Sequence, residues 1–97
     1  MKSYNLDKKI KDEIIELAKK RDIQKIILFG SRARGDNHER SDIDIAASGG
    51  DVMNFAFDVD EEVRTLLMFD VINLDRGISK ELQKEIERDG VIIYEKI

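Results

Sequence analysis

Ile26-Ile27-Leu28-Phe29-Gly30-Ser31-Arg32-Ala33-Arg34-Gly35, then Ser41-Asp42-Ile43-Asp44-Ile45, is the stretch that decides the reading of this chain. A short apolar run ends at a Gly-Ser turn. After ten intervening residues, 32–41, come two carboxylates spaced i, i+2 inside a second apolar run. Side chains alternate faces along a strand, so Asp42 and Asp44 share one face while Ile43 and Ile45 point into a core. Two such carboxylates, about 6–7 Å apart, can share hard divalent cations, because Mg²⁺ prefers oxygen ligands. Without a cation their joint ionisation is resisted by like charge. A turn suited to phosphate followed by a pair suited to metal is equipment for phosphoryl or nucleotidyl transfer.

Working outward, residues 7–21 form an amphipathic helix with Ile10, Ile14, Leu17 and Ala18 on one stripe, capped by Asn5 or Asp7. Residues 26–29 are a buried strand, 31–35 a single helical turn and 36–41 a polar loop. Asp42 to Ala47 is a second strand, stopped by Ser48-Gly49-Gly50. From Asp51 to Leu67 apolar residues recur at helical spacing, as one bent helix or two short ones. Phe69 to Leu74 is a third strand, a helix capped by Ser79 runs to Asp89, and Val91 to Tyr94 is a fourth strand. The 97 residues therefore make a single α/β domain, 1–97, without repeats or linkers.

The segment between the second and third strands is long enough for a parallel crossover. Parallel neighbours start at the same edge, so Asp70, which opens the third strand, converges with Asp42 and Asp44. Gly30 and Ser31 reach that edge from the first strand. Ser31 offers a hydroxyl and neighbouring backbone N–H groups for phosphate oxygens, Gly30 permits close approach, and Arg32 and Arg34 add cationic contacts to a triphosphate. In the assembled site a nucleoside triphosphate and two Mg²⁺ ions bind at Asp42 and Asp44. Asp70 holds the second ion and helps to deprotonate an attacking hydroxyl.

Asp58-Val59-Asp60 repeats the spacing within a helical stretch, where the side chains diverge by about 200°. With Glu61 and Glu62 it reads as a solvated acidic face. His38 reads as surface, Tyr4 and Tyr94 as terminal packing, and Asp75 lies at the far end of the third strand. Met53, Phe55 and Phe57 exceed the needs of one helix stripe; they are core residues or a partner-binding patch.

The bulk numbers narrow the function classes. Net charge is −4, so direct nucleic-acid binding is not expected. There is no cysteine, which removes thiolate metal sites and thiol nucleophiles. No stretch has signal-peptide character or could span a membrane, and a cytoplasmic location is the expectation.

Gly30-Ser31, ten residues, Asp42-Ile43-Asp44 and the later Asp70 closely resemble the nucleotidyltransferase superfamily of DNA polymerase beta. The Gly-Ser-Arg-Ala-Arg-Gly…Ser-Asp-Ile-Asp-Ile form is most similar to the minimal nucleotidyltransferases (MNT) of prokaryotes. The resemblance implies a polymerase beta palm-like fold, a four-stranded mixed sheet with helices mainly on one face. It implies an antitoxin role beside a helical HEPN-domain toxin, with Mg²⁺-dependent transfer of AMP from ATP to a toxin tyrosine. Two other readings stand beside it: an antitoxin that inhibits by contact alone, and nucleotidyl transfer to RNA or a small molecule. With helices over one face, a partner chain or a homodimer mate is expected to complete the pocket.

Overall fold

The computed structural model describes residues 4–97. The element order is α1 (Lys8–Lys20), β1 (Lys25–Phe29), α2 (Gly30–Arg34), β2 (Ile43–Ser48), α3 (Val52–Glu62), β3 (Phe69–Asn73), α4 (Lys80–Asp89) and β4 (Val91–Glu95). A single 3-10 turn, Leu74–Arg76, follows β3. The strands form one sheet in the order β3-β2-β1-β4. β1 is antiparallel to both β2 and β4, whereas β2 and β3 are parallel. The parallel pair follows from α3, which carries the chain back along the sheet between the two strands.

Local chemistry sets the ends of the helices. Asp7, rather than Asn5, caps α1, its Oδ1 accepting from Lys9 N at 2.7 Å. Ser79 caps α4 by accepting from Leu82 N at 3.1 Å. Gly90 ends α4 with an ordinary negative φ of −63°. Its lack of a side chain matters for space instead: a Cβ there would lie 2.3 Å from Ile86 O and 2.8 Å from Ile27 Cγ2.

The alternation of each strand divides the core in two. Ile26 and Leu28 of β1, Ile43 and Ile45 of β2, and Ile93 of β4 face α1 and α3, where Ile14, Phe55 and Val59 complete the larger cluster. Ile27 and Phe29, with Ala46 and Ile72, face the other way and are covered by Leu82 and Ile86 of α4. The two longest helices thus share one face, and α4 covers part of the opposite one. The carboxylates occupy this second face, in strand parity with Ala46 and Ile72.

The expected helix over 51–67 stops early. α3 ends at Glu62, Val63 is extended with ψ 127°, and residues 63–68 carry no helix. Buried Val63 and half-buried Leu67 both pack on the larger core, while Leu66 between them is fully exposed. Burial alternates residue by residue from Val63 to Phe69, the period of extended chain rather than of a helix, and Thr65 Oγ1, by accepting from Leu67 N at 3.1 Å, stabilises the irregular path. Strand limits shift by a residue as well: β2 begins at Ile43, and Leu74 falls in the turn after β3.

Asp58 is also not part of a solvated acidic face. It is buried, and its carboxylate takes a bidentate contact from Arg21, Nε at 2.6 Å and Nη2 at 3.2 Å. This pair fastens the end of α1 to α3 and holds the Asp58 carboxyl below its usual range. Asp60 remains exposed. Of the surplus apolar residues on α3, Phe55 is fully buried, whereas Met53 and Phe57 are each 62% exposed.

Candidate active site

The site begins with register. Asp44 of β2 pairs with Asp70 of the parallel β3 and with Phe29 of the antiparallel β1. Residue 30, next after Phe29, therefore arrives beside Asp44, and the beginnings of β2 and β3 lie level. Asp42 precedes β2 immediately, at a point where Ile43 N donates to Met68 O at 2.9 Å and ties the approach to β2 to the approach to β3. The pairing sets Asp44 level with Asp70 at one edge, with Asp42 two residues before Asp44.

Gly30 meets two demands at once. Its φ is +73°, a left-handed conformation that side chains disfavour, and an added Cβ would stand 2.4 Å from Asp44 Oδ2. The turn and the carboxylate are in van der Waals contact only because residue 30 has no side chain. Ser31 is half-buried on the single turn of α2, whose end is closed by Gly35 in the left-handed region at φ +85°.

The electrostatics single out Asp44. Burial is the largest influence on its carboxyl, followed by the charges of Asp70, Asp42 and Glu85; together they push it up to about 6, with Arg34 opposing. Asp42 and Asp70 are exposed at the same edge. Among the described residues no three acidic, histidine or cysteine side chains are gathered into a ready metal cage. The three aspartates line the edge without closing on one point. Their chemistry nevertheless fits a hard divalent cation: all the donors are carboxylate oxygens, and the edge concentrates negative charge that a cation would relieve.

The two arginines differ from each other, and Arg32 lies further from solvent than a phosphate contact would ask. Arg32 is 6% exposed and turned inward. Its Nε and Nη2 donate to Ser41 O at 3.1 and 3.0 Å, and Nη2 also reaches Glu39 O at 3.1 Å. In this arrangement Arg32 holds the 36–41 loop, and Ser41 is the residue directly before Asp42. A motif read for its positive charge supplies instead a set of donors to backbone carbonyls, a role that only the folded loop reveals. Arg34 is the more accessible, at 37% of its side chain, and pairs with Asp36 and Asp89. Asp89 was not singled out from the sequence, where an acidic residue at a helix end carries no mark.

The remaining candidates fall away from the edge. His38 is exposed in the loop. Asp75 accepts from Gly49 N at 2.8 Å and stabilises the turn after β2. Tyr4 and Tyr94 pack on the larger core, as expected.

With a carboxylate pair and a third aspartate at one edge beside a Gly-Ser turn, the chain can be set beside known proteins. A protein of Methanocaldococcus jannaschii named "Putative protein adenylyltransferase" is 43% identical over 81 residues, covering 74% of this chain and 79% of that protein. A chain in a crystal structure of a toxin–antitoxin with AMP-PNP superposes with TM-score 0.70 at 26% identity, covering 89% of this chain and 73% of that one. A chain from tri-AMPylated Shewanella oneidensis HEPN toxin in complex with MNT antitoxin shares the fold, with TM-score 0.65 at 22% identity over 94% and 74% of the two chains. Residues 12–97 match the family described as Polymerase beta, Nucleotidyltransferase. That match runs through every residue of the carboxylate edge, and the chain belongs to the polymerase beta nucleotidyltransferase family, a family of enzymes.

Proposed function

We propose that this protein transfers AMP from ATP to a hydroxyl of a partner protein, a tyrosine of a helical HEPN-type toxin, and thereby acts as an antitoxin. The observation that carries the reading is the register of Asp44 with Asp70 beside Gly30, within a family of nucleotidyltransferases. Its relatives favour this acceptor: one is called a putative protein adenylyltransferase, and a solved structure pairs an AMPylated HEPN toxin with an MNT antitoxin.

In this reading Asp42, Asp44 and Asp70 hold divalent metal, two Mg²⁺ ions, with the triphosphate lying along the Gly30–Ser31 turn. Bound Mg²⁺ supplies neutralisation of charge on the phosphates and the leaving pyrophosphate. Ser31 contributes its hydroxyl, and Arg34 a guanidinium beside the turn. The acceptor oxygen bonds to the α-phosphorus as the bond from that phosphorus to the oxygen bridging the α- and β-phosphates breaks. Pyrophosphate leaves with the electron pair. Asp70, nearest the open edge of the sheet, takes the hydroxyl proton. Arg32 keeps the loop before Asp42 in place and does not touch the nucleotide.

A protein acceptor suits the surroundings better than RNA. The chain carries net charge −4, and the groove of about 350 Å³ near the start of β3 is lined by Arg40, Leu66, Leu67 and Met68 rather than by a basic track. Among the described residues no helix is long and apolar enough to cross a membrane.

The test is intact-mass analysis of a co-purified HEPN partner after incubation with ATP and Mg²⁺. Mass increments of AMP on the partner are expected, and none with Asp42→Asn/Asp44→Asn. A tight complex that never gains mass would mean inhibition by contact alone.

A further inference from the structure

Arg34 closes α2, one turn after the Gly-Ser bend, and its guanidinium is gripped from two sides. Nε donates to Asp36 Oδ2 at 3.0 Å, and Nη1 donates to Asp89 Oδ2 at 3.1 Å. The remaining nitrogen, Nη2, donates to nothing among the described residues. Asp36 lies just beyond α2, but Asp89 comes from the far end of the chain, at the last residue of α4. It is 5% exposed, and a carboxylate buried this far is costly unless it is paired. Arg88 Nη2 also meets it, at 2.9 Å.

A surface staple between helices would leave the guanidinium anywhere along its reach. Here two carboxylates, one in the loop after α2 and one at the end of α4, fix its plane and leave one nitrogen of the fork over. Arginine offers its donors in a rigid planar fork, so fixing two of the nitrogens also fixes the third. Arg34 is close enough to the carboxylate edge for its charge to oppose the upward shift of the Asp44 carboxyl.

We propose that Asp36 and Asp89 form a clasp that presents Arg34 Nη2 to the phosphates of the bound nucleotide, which makes Asp89 a positioning residue for nucleotide binding. The inference rests on the reading that the edge takes a nucleoside triphosphate. It adds to that reading a residue outside the 30–70 segment and ties the α4–β4 corner to substrate affinity.

The test is calorimetric titration of ATP with Mg²⁺ into the whole chain and its variants, with the unfolding temperature of each measured in parallel. Arg34→Ala is expected to weaken ATP binding about tenfold, the worth of one charge-assisted contact. Asp89→Asn and Asp36→Asn are each expected to weaken it about threefold to tenfold. In the Arg34→Ala background, Asp89→Asn should weaken it no further. A loss that persists in that background, or unchanged affinity in both Asn variants, would overturn the clasp and leave a helix staple. If Asp89→Asn does not fold, Asp36→Asn at its exposed position decides alone, and unchanged affinity there is the overturning result. Failure of the unsubstituted chain to bind ATP would instead remove the triphosphate reading, and the clasp with it.

Discussion

Gly30 shows most clearly how one residue couples backbone to chemistry. An alanine there must adopt a positive φ, at a cost of about 1–2 kcal/mol, and its Cβ must displace Asp44 Oδ2 from 2.4 Å. Gly30→Ala is therefore expected to lower nucleotide transfer at least a hundredfold, while unfolding only about 1–2 kcal/mol more readily. Transfer rates measured beside a denaturant unfolding curve separate the two effects. An equal loss of folded protein and activity would show that the glycine serves the fold alone. Asp42, Asp44 and Gly30 were legible in the sequence because their meaning is local: a bend, a strand parity and a spacing. The inward turn of Arg32 was not, since it depends on where the carbonyls of Glu39 and Ser41 finish after the loop has folded.

Among the elements, α1 and α3 are fastened by Arg21–Asp58, and α2 and α4 by Arg34–Asp89. Both aspartates titrate below the ordinary carboxylate range. Asp58 is lowered chiefly by its hydrogen bonds from Arg21; Asp89 is held at about 2 chiefly by Arg88, with Arg34 adding to it. A carboxyl with a depressed folded pKa stabilises the native state above its unfolded value of 3.8, and that contribution is lost as pH falls toward about 2. The unfolding temperature should accordingly drop between about pH 4 and pH 2. Asp58→Asn should cost about 2 kcal/mol at neutral pH and flatten that drop, with ATP affinity unchanged because the pair lies on the face away from the edge. A pH profile that stays as steep in the variant would assign the acid sensitivity elsewhere. Element order and the parallel β2–β3 pair were readable from lengths and periodicity, but the end of α3 was not. Val63 and Leu67 look helical in spacing and are placed by the core they fill.

At the scale of the whole molecule, the fold offers a charged edge and little to enclose what binds there. The three aspartates stand on the sheet face that α4 covers only in part, and Leu66 and Met68, 102% and 69% exposed, lie beside them at the start of β3. A second chain, the acceptor itself, completes the enclosure in the proposed reading. The family was legible from 15 residues between Gly30 and Asp44 together with Asp70, and the match over 12–97 bears it out. The acceptor is written in no motif of this chain, because acceptor choice belongs to surfaces that meet only in the complex. In the proposed reaction the α-phosphoryl group, carrying its nucleoside, moves to a protein hydroxyl. Parallel incubation of the protein and the HEPN toxin proposed as its acceptor, with ATP labelled at the α- or at the γ-phosphate, decides which phosphoryl group moves. Label from the α-position alone should appear on the partner, with γ-label released as pyrophosphate. Label from the γ-position on the partner would instead make the enzyme a kinase and rule out nucleotidyl transfer.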